Sequence, residues 1–236
     1  MSQPRLRLET CSLDNGIWTI DEAQAHHLVR VRRCYTGSLV EGLLNGEKIE
    51  LKLICSGETV TAEELSRTAE EPAATEIHLL LGLLKNDQFD QALRFCAETG
   101  VHTIHLLSCE RSVPSYEGKK LEEKMERWRK ILAEATKQAG STIAPEILPP
   151  VRMSEIDFDS LPEEKYAALL APGTKELKDL EIPGAVAIAI GPEGDWAPHE
   201  AQLLLNNGFV PVSLGKRILR ASTAVAVACG TISLLR

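Results

Sequence analysis

The stretch from Ala189 to Gly230, AIGPEGDWAPHEAQLLLNNGFVPVSLGKRILRASTAVAVACG, decides the fold. An apolar run, Ala185 to Ile190, reads as a buried strand and leads straight into Gly191-Pro192-Glu193-Gly194. A second run, Phe209 to Val212, leads into Ser213-Leu214-Gly215-Lys216-Arg217-Ile218-Leu219-Arg220. Each glycine-bearing loop is followed by a helical pattern. Glycine admits close backbone approach, and open α/β sheets bind ligands at strand carboxyl ends. The pattern predicts an α/β fold with a ligand cradle made of these two loops.

Upstream, strands and helices alternate from Ala73 onward. Ile77 to Leu84 is a nearly continuous apolar run, as expected of a strand buried on both faces. A helix follows with Phe89, Ala92, Leu93 and Cys96 on one stripe and Gly100 as its stop. Val101 to Leu107 reads as a strand, and a long helix is expected over Tyr116 to Ala139, with Leu121, Met125, Trp128, Leu132 and Ala135 facing the core. Tyr166 to Leu170 reads as another buried strand, stopped by Pro172-Gly173, and Ser222 to Leu235 as a final helix rich in small residues. Such a helix suits a threaded or tightly packed segment and equally any well-buried position. Alternating βα units imply a mostly parallel sheet covered by helices.

Residues 1–72 read differently. Ile17 to Ile20, Ser38 to Leu43, Lys48 to Ile54 and Thr59 to Ala62 are short strand patterns, with Asn45-Gly46 as a hairpin turn. A short helix is expected over Asp21 to Val31 with Asp21 as its N-cap. Short strands with turns imply a small β-barrel, and Ala69-Glu70-Glu71-Pro72 reads as a linker. The boundary expected is therefore 1–72 and 73–236.

The chain has 236 residues, 44% of them apolar, enough for real cores, and no apolar run long enough to span a membrane. The amino end lacks the apolar region of an export signal. Six scattered cysteines without a CxxC pair point to free thiols in a reducing cytoplasm. Cys96 and Cys229 read as inert core thiols, not nucleophiles. His26, His27, His102 and His105 show no convergent carboxylate-and-histidine set, so no metal is expected. No GxGxxG or GxxxxGK[ST] occurs, which argues against Rossmann and P-loop nucleotide enzymes. The net charge of −8 is unusual for an RNA-binding protein. Arg30, Arg32 and Arg33 cluster, however, and phosphate binding depends on the local field; they read either as an RNA contact or as a solvated face.

Four motifs in order resemble one family. Gly191-Pro192-Glu193-Gly194 with Glu200 in the next helix, then Leu214-Gly215-Lys216-Arg217-Ile218-Leu219-Arg220 and the pair Thr223-Ala224, resemble the RsmE-type ribosomal RNA methyltransferases of the SPOUT superfamily. Lys85 to Asp90 with Glu98-Thr99-Gly100-Val101, and Arg127-Trp128-Arg129-Lys130-Ile131 running on to Gln138, are similar to that family's upstream segments. The resemblance implies a SPOUT-type, trefoil-knotted, mostly parallel α/β domain over 73–236 and a PUA-like RNA-binding barrel over 1–72. It implies S-adenosyl-L-methionine as cofactor, N3 of a uridine in 16S rRNA of the small ribosomal subunit as methyl acceptor, and a homodimer. Cofactor contacts are implied for Leu170, Gly191, Pro192, Glu193, Gly194, Leu214, Gly215, Ile218, Leu219, Arg220, Ala221, Thr223 and Ala224. RNA contacts are implied for Lys85, Gln138 and Arg217 beside the arginine cluster.

Methyl transfer from a sulfonium is chiefly a positioning task, but uridine N3 must lose a proton. Glu193 is the candidate base, or else a cap of the following helix. Arg220 is the candidate for stabilising negative charge or gripping phosphate, or else a structural ion-pair partner. The sequence departs from the family pattern at Asp195 (glycine there), at Ala197, which lacks the N-cap hydroxyl, at Ser222 (glutamate there) and after Gln138, where an arginine is missing. These departures leave a second reading, a non-catalytic or retargeted RNA-binding protein.

Overall fold

The computed structural model describes residues 3–57, 59–71, 73, 75–169, 173–182 and 184–235. The expected strand end at Leu170 and the prolines at 72 and 172 lie outside these residues. The chain divides into two compact units, Met1–Pro72 with Thr136–Ile143, and Ala73–Ala135 with Ala144–Arg236.

The first unit contains β1 (Arg5–Arg7), β2 (Ser12–Asp14), β3 (Ile17–Thr19), α1 (Glu22–His26), β4 (Leu39–Leu44), β5 (Glu47–Ser56) and β6 (Thr59–Ala69). Its six-stranded sheet runs β1-β4-β5-β6-β3-β2, parallel only between β1 and β4. Asn45 (φ 45°) and Gly46 (φ 82°) both take the left-handed conformation that the β4–β5 hairpin requires. Asp21 caps α1, its Oδ1 accepting the Gln24 N–H at 3.1 Å, and the helix continues as one wider turn over His27–Val31. Strand β6 runs seven residues past the expected Ala62, because its second half is mostly exposed and carries no apolar alternation to read. Leu6, Leu8, Trp18, Leu28, Ile49, Leu51 and Leu53 lead its core. Residues 136–143 join this unit through polar contacts. The Arg5 guanidinium donates to the Gln138 carbonyl at 2.8 Å, and the Glu70 carboxylate accepts both the N–H and the hydroxyl of Thr142.

The second unit contains β7 (Ile77–Gly82), α2 (Asn86–Glu98), β8 (Val101–Ser108), α3 (Gly118–Ala139, its last four residues counted with the first unit), β9 (Glu146–Ile147), β10 (Val151–Arg152), β11 (Glu164–Ala168), β12 (Lys175–Glu176), β13 (Val186–Ile190), α4 (Pro198–Asn206), β14 (Val210–Ser213) and α5 (Ala221–Leu234). Eight strands form one sheet, ordered β10-β8-β7-β13-β11-β14-β12 with β9 also on β8, and every pairing is parallel. Both faces are buried, as the continuous apolar strands require. Leu79, Leu81, Ile188 and Ile190 pack with residues of α2, α3 and α5, while Leu80, Ala187 and Ala189 pack with Trp196, Leu204 and Phe209.

Local chemistry fixes the helices. Gly100 (φ 74°) ends α2 in the left-handed conformation. Phe89 of α2 meets Trp128 of α3 with ring centroids 4.6 Å apart, and Arg127 pairs with Asp90 beside them. The RW segment therefore docks α3 on α2. Burial pushes the Cys229 thiol up to about 12 and Cys96 well above 9, consistent with inert core thiols. Among the described residues no helix is long and apolar enough to cross a membrane.

Candidate functional site

Strand β11 lies between β13 and β14, so the carboxyl ends of these three neighbours open together. A cavity of about 810 Å³ occupies that end of the sheet. Its walls come from Ala168 and Leu169 at the end of β11, Ile190 to Glu193 and Asp195 at and after the end of β13, and Val212 to Gly215 with Arg217 to Ala221 and Ala224 at and after the end of β14. Lys85 and Gln88, at the start of α2, complete it with Thr174. Two helix amino termini, those of α2 and α5, thus face one cavity. Helix starts present unpaired N–H groups and positive potential, which suit an anionic ligand group.

Of the residues singled out from sequence, Lys85, Gly191, Pro192, Glu193, Leu214, Gly215, Arg217, Ile218, Leu219, Arg220, Ala221 and Ala224 line this cavity together. Gly194 and Thr223 do not, Leu170 lies outside the described residues, and Arg30, Arg32, Arg33 and Gln138 belong to the first unit. The three arginines stand exposed on one turn after α1. Ile218, although in the lining, is 83% exposed.

The glycines serve the scaffold more than the ligand. A Cβ on Gly191 would stand 3.2 Å from the Trp196 ring, and one on Gly194 would stand 2.9 Å from Arg111 Cβ. The Arg111 guanidinium in turn donates to the carbonyls of Gly194 and Trp196, each at 3.2 Å. Gly82, at the end of β7, matters for the same reason: its Cβ would lie 2.7 Å from both Pro192 Cδ and Pro192 N. Gly215, at φ 114°, is the one whose conformation itself excludes a side chain.

Glu193 does not cap α4. Its Oε1 accepts the backbone N–H of Lys85 at 2.9 Å, tying the loop after β13 to the start of α2. The cap is Glu200, 3% exposed, whose Oε2 accepts the Ala197 N–H and whose Oε1 accepts the Glu110 N–H, both at 2.9 Å. Burial, with the Glu200 carboxylate adding to it, pushes the neighbouring Cys109 thiol up to about 12. Ser222, at the start of α5, is buried, and its hydroxyl donates to Oε1 of the lining residue Gln88 at 2.6 Å. Gln88 was invisible to sequence reading, because its place depends on which helix end meets α5.

One expectation is corrected. A convergent carboxylate-and-histidine set does exist: Glu76, His78 and His102, with ligand atoms all within 4.8 Å of one another. The β7–β8 register, with His78 opposite Thr103 and Leu80 opposite His105, assembles it, and no sequence pattern gives that register.

The RNA methyltransferase domain family matches residues 70–233. Ribosomal RNA small subunit methyltransferase E of Synechocystis sp. is 31% identical over 92% of this chain and 73% of its own length. The protein of the same name from Mycobacterium bovis is 24% identical over 97% of this chain and 90% of its own. The structure of ribosomal RNA small subunit methyltransferase E from Neisseria gonorrhoeae, bound to S-adenosyl methionine, superposes with a TM-score of 0.83 at 27% identity, covering 99% of this chain and 98% of that one. The chain belongs to the RNA methyltransferase domain family, within its group of ribosomal RNA small subunit methyltransferase E proteins.

Proposed function

We propose that this protein transfers a methyl group from S-adenosyl-L-methionine to N3 of a uridine in 16S rRNA of the small ribosomal subunit. The observation that carries the reading is the cavity at the ends of β11, β13 and β14, in a fold shared almost end to end with a relative that holds that cofactor. Its chemistry fits. At about 810 Å³ it has room for a nucleoside-sized ligand. Half-buried Leu169, Leu214 and Leu219 offer apolar faces for a purine, the loop backbones offer amide and carbonyl partners for its edges, and the two helix starts suit a carboxylate. Bound there, the cofactor supplies an electrophilic methyl group on a good leaving group.

The chain's own residues then have two tasks. Arg220, exposed on the rim, faces the acceptor with a fixed positive charge and lowers the cost of negative charge on the uracil ring. Glu193, held by the Lys85 N–H through Oε1, presents an exposed carboxylate that takes the N3 proton. Lys85 and Arg217, also on the rim, grip phosphate.

The same reading assigns 1–72 as a PUA-like barrel whose Arg30, Arg32 and Arg33 bind RNA, and 73–236 as a knotted methyltransferase domain. It includes Gln138 as an RNA contact, a homodimer combining the barrel of one subunit with the knot of the other, Gly194, Thr223 and Leu170 as further cofactor contacts, and a cytoplasmic location.

The test is calorimetric titration with S-adenosyl-L-methionine, followed by incubation with small subunits lacking the modification and mass spectrometry of the nucleosides. Saturable binding that Leu214→Glu abolishes, with N3-methyluridine formed, is the expected result. Arg220→Ala should keep cofactor binding and lower turnover by about 100-fold or more. Cofactor or RNA binding without methylated product on naked rRNA or assembled subunits would favour the retargeted, non-catalytic reading.

A further inference from the structure

The amino-terminal ends of β7 and β8, opposite the cavity end of the sheet, carry a second cluster of chemistry-bearing side chains. Glu76 immediately precedes β7, His78 is its second residue, and His102 is the second residue of β8. His78 Nε2 lies 2.9 Å from Glu76 Oε1, and His102 Nδ1 lies 3.5 Å from the same oxygen. A tetrahedral zinc with ligands at about 2.0–2.1 Å places its ligand atoms about 3.3 Å apart. These two separations fall on either side of that value and all three ligand atoms lie within 4.8 Å of one another, so side-chain rotations that draw the set together would accommodate an ion.

Three further features match what zinc sites use. The ligand set is two imidazoles and a carboxylate, a combination zinc accepts with water in the fourth position. The ring nitrogen of His78 that faces away from Glu76 is not idle. His78 Nδ1 lies 3.2 Å from His105 Nε2, the outer hydrogen bond that orients a metal-bound histidine. Exposure differs among the three: the side chains of Glu76 and His102 are 49% and 54% exposed, that of His78 15%. The inner ligand is therefore fixed by the strand and the outer two meet the incoming ion. His102 Nδ1 also lies 2.9 Å from Thr103 Oγ1, a contact the ion would replace.

We propose that Glu76 Oε1, His78 Nε2 and His102 Nδ1 form a zinc site, with His105 as the positioning residue behind His78. The site takes no part in methyl transfer. It pins the segment before β7 to the first residues of β8, so its consequence is structural.

The test uses the full chain without a polyhistidine tag, stripped with a chelator and titrated with zinc chloride against a competing chromophoric chelator. One equivalent is expected to bind at micromolar concentration or below. His102→Ala and Glu76→Gln, both at exposed positions, should each weaken it by about tenfold or more, and His105→Ala by about tenfold. His27→Ala and His199→Ala should leave it unchanged. Cobalt(II) in place of zinc should give the visible absorption of a tetrahedral nitrogen-and-oxygen site, lost in His102→Ala. Zinc should also raise the thermal midpoint of the parent protein and not of His102→Ala. Absence of stoichiometric binding, or binding that His102→Ala and Glu76→Gln leave intact, would overturn the assignment and reduce the cluster to a hydrogen-bonded surface group.

Discussion

Replacing Glu200 separates scaffold from site in a way the structure makes quantitative. Its two carboxylate oxygens each accept a different backbone N–H, that of Ala197 at the start of α4 and that of Glu110 after β8. In Glu200→Ala both donors lose their partner, at about 1–3 kcal/mol each for buried groups, and the one lost methylene adds about 0.8 kcal/mol. A loss of about 4–5 kcal/mol is expected, a large share of the 5–15 typical of a folded chain. Glu200→Gln is the sharper test. An amide has one acceptor oxygen, so its NH₂ must oppose one of the two N–H groups, and the loss should still reach about 2–3 kcal/mol. Urea denaturation followed by circular dichroism reads both values. Cofactor affinity of the folded variants should stay within about threefold, because Glu193 on Lys85 and Arg111 on Gly194 still hold the loop. A Glu200→Gln protein as stable as the parent would refute the two-oxygen bridge, and a collapse of affinity in a stable variant would refute the division between scaffold and site.

Three other perturbations follow from the same geometry. Gly82→Ala places a methyl group against the backbone of Pro192, which cannot yield as a flexible side chain would; a loss of about 3 kcal/mol is expected, with weaker cofactor binding measured calorimetrically. Asp195→Gly removes a left-handed residue (φ 60°) worth about 1 kcal/mol of strain. It also deletes the Oδ1 acceptor of the Trp196 N–H and loosens the unfolded chain, so the urea midpoint should move little or slightly down, and a gain above about 1 kcal/mol would contradict this. Glu70 titrates below its ordinary 4.5: burial raises it, but the Thr142 hydroxyl and N–H, with Lys48 beyond, outweigh that. A lowered folded-state value gives stability that is present above pH 4.5 and lost as acid titrates the group, so Glu70→Gln should flatten the acid limb of the stability curve, read as thermal midpoints between pH 3 and 7.

The second unit was legible because its signals are local and periodic. Apolar runs at Ile77 and Val186, the Phe89 stripe and the Gly100 stop each act within a few residues, and the two glycine loops sit where strands must end. The sequence hid what depends on neighbours far along the chain. Gln88 becomes a cavity residue only because α5 begins beside it. His78 and His102 become a cluster only through the β7–β8 register. Strands β1 and β2 are three residues each, too short to show alternation. The missing N-cap hydroxyl at Ala197 looked like a loss, yet Glu200 compensates from the first turn of the same helix.

The motif residues themselves divide by what they touch. Arg127, Trp128 and Asp90 hold α3 to α2, and Gly82, Gly191 and Gly194 let β7, the loop after β13 and Arg111 approach one another. The charged side chains in the cavity lining are Lys85, Glu193, Asp195, Arg217 and Arg220, with Gln88, Thr174 and Ser213 beside them. The Ser222 hydroxyl is spent on Gln88. If the proposed reaction holds, the proton acceptor is then to be sought among the carboxylates of the lining, Glu193 and Asp195, and Glu193 is the one proposed. Exchange of Ser222 should accordingly alter cofactor affinity before it alters the pH dependence of turnover, whereas exchange of Glu193 should do the reverse.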